Sequence, residues 1–521
     1  MTPHADSTLP EDPAALMVVI AALRGELAEE RTARRIAELG LQASTLEAER
    51  LRVQIARLRH ERFGRSSERL AGEVEQLELR LDEVLADIAA ARDAEDEAVS
   101  GPAPEEKAQR RGRKPLPASL PRRDIEHLPA EGCACGGALR KVGEDVTEIL
   151  EYRPGRFEVV RHVRPAFSCR ACEAMTQAPM PSLPIERGRP GPGLLAHVLV
   201  SKYCDHLPLY RQSEIYARDG LDLPRGLLAG WVGRSAALAE PMTEFIGRHA
   251  LAGARVHADD TPMPMLAPGK GRTQTARFWA YLRDDRPFGG RDPPAVLYEF
   301  TPDRKGEHPQ RRLREFRGIL QADAYAGFNA LYEGGRVVEA ACWTHARRYF
   351  HDEVVANASP IAREAMERMQ PLFAIEAEIH GQPPEARLSA RQARSAPILA
   401  DLHAWLETMQ RRISGKSDLA KAIRYTLAQW GALTLVLRDG RACLSNNAAE
   451  RRMRPLALGR KNYLFAGSPE GGRRAAIIYT LVGTAELNGW DPQAYLRVLL
   501  DRIAGHPINR IGELAPWHLR P

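Results

Sequence analysis

Apolar residues recur at helical spacing over roughly the first hundred positions of the chain. Between about residues 14 and 98 the sequence is rich in Ala, Leu, Glu and Arg, with no proline after Pro13. Steps of three and four residues separate the apolar positions within residues 51–58 and again within residues 74–88. This spacing predicts a coiled coil in two helical segments, because Gly64 and two serines interrupt the pattern. A monomeric helical hairpin is the alternative, and we prefer self-association through the helices.

Two series of strand-like segments follow, separated by a helical stretch. The first series contains "RFEVVRHVRPAFS" (residues 156–168), and the second begins with "RVHADDTPMPML" (residues 255–266) and continues with "RFWAYLRD" and "AVLYEFTPDR". Between them, residues 194–251 are helical in pattern, with a turn at Gly220 and Pro224 in the first turn of the next helix. This arrangement predicts a helix-turn-helix-like DNA-binding region. A plain helical connector is the alternative.

The order of elements after residue 254 predicts the fold of the second series. Three strands are followed by the helical stretch "QRRLREFR", by a fourth strand in "GILQADAYAGF" and by further α/β elements. This is the order of a ribonuclease-H-like fold, in which a carboxylate on the first strand and one on the fourth lie side by side. A third carboxylate from a late helix completes the group. Asp259, Asp323 and Glu450 occupy these three places.

The segment between the second and third carboxylates is longer than such a fold requires. Asp323 and Glu450 are 127 positions apart (450 − 323), and much of residues 352–440 is helical in pattern. We interpret this segment as a helical insertion that contacts DNA or a second subunit. A scaffold element is the alternative. The sequence after Gly467 predicts a closing helical element that packs on the catalytic core.

The length of the chain, 521 residues, indicates three or four domains. We predict a multidomain, mainly α protein with an α/β catalytic core. Its N-terminal part is divided into a coiled-coil or leucine-zipper region (1–98), a basic Pro-rich linker (99–125) and a small zinc-ribbon-like, zinc-finger-like β module (126–178). A helical DNA-binding region (179–250) follows, then the catalytic domain (251–465) with its insertion (about 352–440), and a C-terminal helical element (466–521).

The apolar and cysteine content predicts a cytoplasmic protein. The apolar run at residues 14–23 is too short to cross a membrane, and Glu11 and Asp12 before it argue against a secretory signal. Seven cysteines without such a signal indicate a reducing compartment and a metal site rather than a disulfide framework. We expect a bacterial cytoplasmic, nucleoid-associated location and no membrane partner.

Four of the cysteines form two close pairs. Cys133 and Cys135 are separated from Cys169 and Cys172 by about thirty residues of strand-like sequence. Two pairs across hairpins are typical of a zinc ribbon, so we predict one structural Zn²⁺ held by the four thiolates. The first pair has one intervening residue where two are usual. A small β unit without metal is the alternative.

Basic clusters, rather than total charge, indicate a nucleic-acid partner. The formal charge of +6 is small for this length, but residues 107–123 hold seven Lys or Arg residues and no acid. Within this segment Arg111, Arg113 and Lys114 surround a glycine and a proline in a pattern typical of minor-groove binders. A solvated basic linker is the alternative.

A second basic cluster surrounds Glu450 in "LSNNAAERRMRPLALGRKN" (residues 444–462). One interpretation is a basic helix with a salt-bridging glutamate. The other is a metal-binding carboxylate among phosphate contacts, in which Asp259, Asp323 and Glu450 bind two Mg²⁺ ions, one activating the attacking oxygen and one stabilising the leaving oxygen. The cations then hold the DNA strand by its phosphates. The complete set of candidate DNA contacts is Arg111, Arg113, Lys114, Arg211, Arg347, Arg348, Arg451, Arg454, Arg460 and Lys461.

Neighbouring residues are expected to support the three carboxylates. Asn446 or Asn447 is placed to cap the helix that carries Glu450. Asp260 points away from Asp259 if the strand continues, and therefore supports the site from behind. For His257 and His345 a structural or DNA-contacting role is expected rather than metal ligation.

Several long segments closely resemble the transposases of the insertion sequence 66 family. These segments are "ERFGRSSERL", the cysteine region, "SKYCDHLPLYRQSEIYAR", "HADDTPMPML", "LQADAYAGFNALY", "ACWTHARRYF" and "NNAAERRMRPLALGRKNYLFAGSPEGGRRAAIIYTLVGTAELNGWDPQAYL". They occur in the family's order and extend from the coiled coil to about residue 500. The resemblance implies a DDE transposase that acts on the ends of its own mobile element, with Asp259, Asp323 and Glu450 as the catalytic triad.

The chain departs from the family's pattern at a few positions. The first motif commonly has Asp-Glu-Thr where this chain has Asp259-Asp260-Thr261, and an Asp often precedes the two asparagines where this chain has Ser445. The single residue between Cys133 and Cys135 also departs from the family's zinc-finger pattern.

The expected activity is Mg-dependent DNA strand cleavage and strand transfer on terminal inverted repeats and target DNA. The chain is expected to form a homo-oligomer through its coiled coil, and the family's elements often encode accessory proteins. Two alternatives remain: a catalytically inactive DNA-binding regulator, and a metal-dependent nuclease without strand transfer. The intact carboxylates argue against the regulator, and the coiled coil with separate DNA-binding modules argues against the nuclease.

Overall fold

The computed structural model divides the chain into two units, Met1–Ala108 and Gln109–Pro521. It describes residues 116, 118, 120–128, 139–153, 155–186, 188–267, 272–463 and 465–519, together with a few positions between 24 and 51. Those few positions are helical, in keeping with the predicted helical region. The predicted break at Gly64, the basic residues Arg111, Arg113 and Lys114, and the cysteines Cys133 and Cys135 lie outside the described residues.

A small sheet begins the second unit. Its strands are β1 (Arg122–Glu126), β2 (Leu139–Arg153), β3 (Arg156–Cys169) and β4 (Met175–Gln177). The antiparallel pair β2–β3 is the main feature, with β1 parallel to β3 and β4 antiparallel to β3. Gly155 adopts a φ of 83° in the turn between β2 and β3, a left-handed conformation that favours glycine in tight hairpins. The strand prediction for this segment is therefore confirmed.

Three helices follow the small sheet: α1 (Pro192–Tyr203), α2 (Leu209–Arg218) and α3 (Arg225–Leu251). The Glu151 carboxylate of β2 accepts the Leu194 N–H at 2.8 Å, which places an acid at the N-terminus of α1 where the helix dipole favours it. The predicted turn between α2 and α3 is present, with Gly220 at a φ of 79°. Pro224, however, is the residue before α3 rather than part of its first turn, because its ψ of 144° is extended.

A five-stranded mixed sheet forms the centre of the second unit. Its strands are β5 (Arg255–Leu266), β6 (Thr273–Arg283), β7 (Ala295–Thr301), β8 (Gly318–Gln321) and β9 (Val337–Ala340). They lie in the order β7-β6-β5-β8-β9. β6 is antiparallel to both β5 and β7, whereas β8 runs parallel to β5 and β9 parallel to β8. The predicted three strands, helix and fourth strand are thus confirmed, with α4 (Glu307–Arg312) before β8 and α5 (Asn329–Tyr332) after it.

Helices pack closely on the β6–β7 part of this sheet. They are α3 and α13 (Pro469–Leu487), whereas α14 (Pro492–Arg502) packs on α1 and α13. A Cβ atom on Gly472 of α13 would lie 2.4 Å from the Phe300 ring, so this close helix-to-sheet contact requires glycine. Thr480 and Thr484 of the same helix accept the main-chain N–H groups of Tyr298 and Val296. The predicted closing helical element therefore packs on the sheet.

The predicted helical insertion is present beyond β9. Its helices are α6 (Trp343–Asn357), α7 (Pro360–Glu378), α8 (Pro384–Ala390), α9 (Ala396–Arg412), α10 (Asp418–Ala428) and α11 (Trp430–Leu433), and α12 (Asn447–Tyr463) follows them. Buried Trp343, Phe350, Leu402 and Ile423 form one apolar core with Ile319 of β8. Because the insertion shares its core with the sheet, it is part of the same folded unit.

Short helical segments of three to seven residues complete the helical elements, at Arg286–Phe288, Ala326–Phe328, Arg391–Ser395, Thr434–Leu437, Ile503–Gly505 and Ile508–Leu514. Among the described residues, no helix combines the length and the apolar content needed to span a membrane.

Candidate active site

Three carboxylates converge at the middle of the five-stranded sheet. Asp259 lies in β5 opposite Ala280 of β6, and Asp323 follows the C-terminal end of β8 by two residues. Since β5 and β8 are parallel neighbours, with His257 aligned to Gln321, the two aspartates lie at the same edge of the pairing. Glu450 lies in the first turn of α12.

The pKa of Asp259 reflects its burial and the other carboxylates around it. Burial, followed by the negative charges of Asp323, Asp260 and Glu450, raises the pKa of the Asp259 carboxyl to about 7. The Asp260 N–H opposes this shift by donating to Asp259 Oδ1 at 2.9 Å. A partly buried carboxylate that is repelled by three others is the arrangement that a divalent cation with oxygen ligands would relieve.

Asp260 is directed away from Asp259 and binds two arginines. Its buried carboxylate, 3% exposed, accepts Arg277 Nη1 at 2.8 Å and Arg304 Nη2 at 2.7 Å. The Arg304 guanidinium also lies 3.7 Å from Asp323 Oδ2 and stacks at 4.2 Å over the Tyr325 ring. Asp260 thereby supports the site through Arg304, which links it to Asp323.

Sequence reasoning missed Arg277 and Arg304. Strand alternation offered a signal for the first, because Asp260 is paired with Trp279 and Arg277 is the next residue on the same face of β6. For Arg304, which follows β7 in a loop, the sequence carries no comparable signal.

Asn446 connects the strand of Asp259 with the helix of Glu450. Its side chain donates from Nδ2 to the Ala258 carbonyl at 2.8 Å, and its Oδ1 lies 2.9 Å from His257 Nδ1. Its main-chain carbonyl accepts the N–H groups of Ala449 and Glu450 in the first turn of α12. Burial and the Arg255 charge lower the pKa of His257 to about 3, so the neutral imidazole donates its Nδ1 proton to Asn446.

The predicted cap of α12 is therefore wrong for Asn446. Its amide is occupied by strand β5, so it does not reach the first amides of the helix. Asn447 Oδ1 is buried and has no hydrogen-bond partner within the described residues. The sequence identified the correct residues but not the direction in which Asn446 points.

The basic residues of α12 divide between two faces of the helix. At 100° per residue, Arg451, Arg454 and Lys461 lie within about 100° of Glu450, and all three are exposed. Arg460 lies on the other side of Glu450, where its Nη1 donates to the Pro262 carbonyl at 2.5 Å and lies 3.4 Å from Thr261 Oγ1. Arg460 thus ties the helix to β5 close to Asp259, whereas Arg451, Arg454 and Lys461 face solvent and Arg452 pairs with Glu486 at 3.0 Å.

The remaining predicted DNA contacts lie at two places. Arg347 and the exposed Arg348 are in α6, whose first turn carries His345, and His345 Nδ1 is 3.6 Å from Glu450 Oε1. The start of α6 therefore adjoins the start of α12. Arg211 is on α2, where it is exposed and its Nε donates to the Tyr210 hydroxyl at 2.9 Å.

Half of the predicted zinc site lies in the described residues. Cys169 ends β3 and is buried, and Cys172 is exposed in the turn before β4. Ala171 N–H donates to Cys169 Sγ at 3.4 Å, in the manner of the tight turns that hold thiolate ligands. The β3–β4 hairpin thus presents the second cysteine pair as the sequence predicted.

Three buried arginines hold the loop that leads into α12. Arg255 of β5 donates to the Arg441 carbonyl at 2.7 Å, Arg387 to the Gly440 carbonyl at 2.9 Å, and Arg391 to the Ala442 carbonyl at 2.9 Å. All three side chains are almost fully buried. Because Arg387 and Arg391 come from the helical insertion, the insertion at least fixes the approach to Glu450, a scaffold role.

One glutamate of the insertion pairs with both of its buried arginines. Glu376 of α7 accepts Arg391 through both oxygens, at 2.6 and 2.8 Å, and Arg387 at 3.1 Å. A Cβ atom on Gly440 would lie 1.8 Å from the Pro384 carbonyl, so the loop approaches α8 more closely than any other residue would allow. Sequence reasoning did not identify this set.

Family models match most of the chain. The model described as "Transposase IS66 family" matches residues 187–474, and "IS66 C-terminal element" matches residues 480–517. Residues 131–173 match "zinc-finger binding domain of transposase IS66", and residues 50–125 match "Transposase C of IS166 homeodomain". The first of these matches alone covers more than half of the 521 residues.

Three relatives from Sinorhizobium fredii (strain NBRC 101917 / NGR234) are similar over most of their length. "Uncharacterized protein y4hP" is 42% identical over 492 residues, which covers 90% of this chain and 88% of that protein. "Uncharacterized protein y4jD" is 40% identical and covers 77% of this chain and 81% of its own. "Uncharacterized protein y4qI" is 40% identical, and the match covers 79% of this chain and 78% of that protein. The chain belongs to the IS66 transposase family.

Proposed function

We propose that this protein is a DDE transposase that cleaves and rejoins the DNA ends of its mobile element at Asp259, Asp323 and Glu450. The observation that carries the proposal is the burial of Asp259 together with its repulsion by the carboxylates of Asp323 and Glu450, which raise the pKa of Asp259 to about 7. Such repulsion is retained where a site needs the charges. The family match supports the assignment.

The sheet order supports a ribonuclease-H-like catalytic domain. Strands β5, β6 and β7 are antiparallel, and β8 and β9 continue parallel to β5 on its other side. In this arrangement the first and fourth strands in chain order are neighbours, so their carboxylates meet. We therefore assign residues 251–465 to the catalytic domain and about residues 352–440 to its insertion.

The donor set fits two Mg²⁺ ions. All three groups offer carboxylate oxygens, the ligands that Mg²⁺ prefers. Glu450 Oε1 is buried and has no hydrogen-bond partner within the described residues, so it is available to a ligand. When bound, the ions would activate the attacking oxygen and stabilise the leaving oxygen of the phosphodiester.

The surrounding residues orient these carboxylates and bind the DNA strand. Asn446 and Arg460 fix α12 against β5, so that Glu450 is held relative to Asp259. The exposed face of α12 presents Arg451, Arg454 and Lys461 beside Glu450, where they bind phosphates without reading bases. Arg347 and Arg348 extend this surface along α6.

The other regions recognise and pair the two ends of the element. Cys133, Cys135, Cys169 and Cys172 hold one structural Zn²⁺ in a module that supports DNA binding, and Arg111, Arg113, Lys114 and Arg211 add contacts to terminal inverted repeats. The coiled coil joins subunits, so that two ends are held together, and target DNA enters at the same carboxylates. Accessory proteins of the element assist, and the protein acts in the bacterial cytoplasm at the nucleoid.

Metal analysis tests the proposed zinc site of the four cysteines. A Cys172→Ser variant should contain one Zn²⁺ per chain fewer than the unmodified protein.

The decisive experiment is incubation of the purified full chain with its terminal repeats and Mg²⁺. We expect site-specific 3′ nicking, followed by strand transfer when target DNA is added. Asp323→Asn should keep DNA binding and lose cleavage, because the amide preserves shape but not charge. Specific binding without nicking would favour a regulator, and nicking without strand transfer would favour a nuclease.

A further inference from the structure

A second group of ligand-type side chains lies beside the three carboxylates. Cys342 is the residue before α6, His345 lies in the first turn of that helix, and Glu450 lies in the first turn of α12. The Cys342 Sγ, a ring nitrogen of His345 and a Glu450 oxygen all lie within 4.8 Å of one another. A spacing of three residues at a helix start directs Cys342 and His345 to one side.

The two facing polar atoms of this group lack hydrogen-bond partners. His345 Nδ1 and Glu450 Oε1 are 3.6 Å apart, too far for a hydrogen bond, and within the described residues each is buried without one. A tetrahedral zinc ion, about 2.1 Å from a nitrogen and an oxygen ligand, holds those two atoms about 3.4 Å apart. The observed separation therefore suits a bound metal better than a direct contact.

Cys342 is placed to supply a thiolate. Its side chain is fully buried, and its Sγ accepts the Asn446 N–H at 3.1 Å. Burial, followed by the Glu450 charge, raises the pKa of the Cys342 thiol, and the Asn446 N–H opposes this rise, so the site without metal holds a thiol whose proton a metal ion would displace. The same Asn446 ties α12 to β5, so the sulfur has a fixed position relative to Glu450.

We propose that Cys342, His345 and Glu450 form a binding site for Zn²⁺. On binding, the thiol releases its proton to solvent, and the three protein ligands leave a fourth position for water. Mg²⁺ takes oxygen ligands and does not favour thiolate, so the site discriminates between the two ions. Within the part of the chain that the structure describes, the three ligands come from outside the cysteine module.

One consequence rests on the proposed function. Glu450 belongs to both sets of ligands, so Zn²⁺ bound to Cys342 and His345 draws this carboxylate away from Asp259 and Asp323. Zn²⁺ would then inhibit Mg-dependent cleavage, and Cys342→Ser would relieve the inhibition.

The test is a Co²⁺ titration of the full-length protein without DNA, followed by the near-ultraviolet absorption that a cobalt–thiolate bond produces. We expect unmodified protein to bind one more Co²⁺ per chain than Cys342→Ser, while Cys204→Ser, a matched thiol on another element, binds as the unmodified protein does. The cysteines at 133–172 contribute equally to all three proteins. Equal stoichiometry and absorption in the unmodified protein and Cys342→Ser would overturn the proposal.

A second variant protects the test from misfolding. The His345 side chain is 24% exposed, so the His345→Gln variant should fold. It should weaken Co²⁺ binding at this site by at least about tenfold, because replacing even a residue that only holds a metal ligand in place lowers metal affinity by that much. Unchanged affinity would also overturn the proposal. Asp259→Asn should keep the cobalt–thiolate absorption, because Asp259 is not a ligand of this site. Unmodified protein that shows this absorption yet fails to cleave DNA would contradict the proposed function alone.

Discussion

The Asn446 side chain donates a 2.8 Å hydrogen bond to the Ala258 carbonyl, the residue before Asp259 in β5. Asn446 is also the residue whose carbonyl accepts the Glu450 N–H. One fully buried amide therefore joins the elements that carry the first and third carboxylates. Their relative position depends on this contact, although Asn446 itself carries no charge.

Asn446→Ala should lower DNA cleavage far more than DNA binding. The helix would lose its fixed position, and a displacement of about 1 Å can reduce the rate roughly a hundredfold. Unfolding should become easier by about 1–3 kcal/mol, since His257 Nδ1 and the Ala258 carbonyl lose their partner. Cleavage rates and urea denaturation would measure the two effects. Asn462→Ala, on an exposed turn of the same helix, is the control and should change neither.

Asp259→Asn and Asp260→Asn should change stability in opposite directions. At pH 8, above the raised pKa of Asp259 and without Mg²⁺, removing the Asp259 charge relieves the cost of its burial and its repulsion by Asp323 and Glu450, and should raise the Tm. Removing the Asp260 charge weakens two buried ion pairs with Arg277 and Arg304, and should cost about 1–3 kcal/mol. Thermal denaturation of both variants checks this.

Mg²⁺ provides the second arm of that experiment. Added Mg²⁺ should raise the Tm of the unmodified protein, because an ion that binds only the folded state stabilises it. The increase should largely disappear in Asp259→Asn and persist in Asp260→Asn. An equal Mg²⁺ effect in both variants would remove Asp259 from the proposed ligand set.

Arg454→Ala and Arg460→Ala should separate phosphate binding from helix positioning. Arg454 is exposed beside Glu450, so its loss should reduce the slope of log affinity against log salt by about one, equally on terminal and random DNA. Arg460 is bound to the Pro262 carbonyl, so its loss should reduce cleavage with little change in the slope. A reduced slope in Arg460→Ala would restore it as a phosphate contact.

Arg391→Met should destabilise the protein by about 1–3 kcal/mol, because Glu376 and the Ala442 carbonyl lose the closer of their two buried partners and retain only Arg387. Arg394→Ala is the matched control one helical turn away. Arg394 pairs with Glu378 at the surface, where both side chains are about half exposed, and such pairs contribute about 0–1 kcal/mol. Chemical denaturation measures the free energy of unfolding of both variants. Similar decreases in the two would show that the buried contacts of Arg391 stabilise the fold no more than a surface ion pair does.

The position of each candidate residue along the chain was predictable because it follows from local pattern. Alternation placed Asp259 in a strand, the end of an apolar run placed Asp323 after β8, and helical spacing placed Glu450 on α12. The element order also predicted which strands are neighbours. None of these inferences required knowledge of side-chain direction.

The sequence by itself determined the elements, their order and the three carboxylates, since periods of 2 and 3.6 residues are properties of the local backbone. The tertiary structure alone decided which polar groups meet. Asn446 turns to β5 rather than to its own helix, Arg460 faces β5 while Arg454 faces solvent, and Arg391 reaches a loop about fifty residues away. These choices depend on packing between distant segments, where a buried polar group must find a partner wherever one is available.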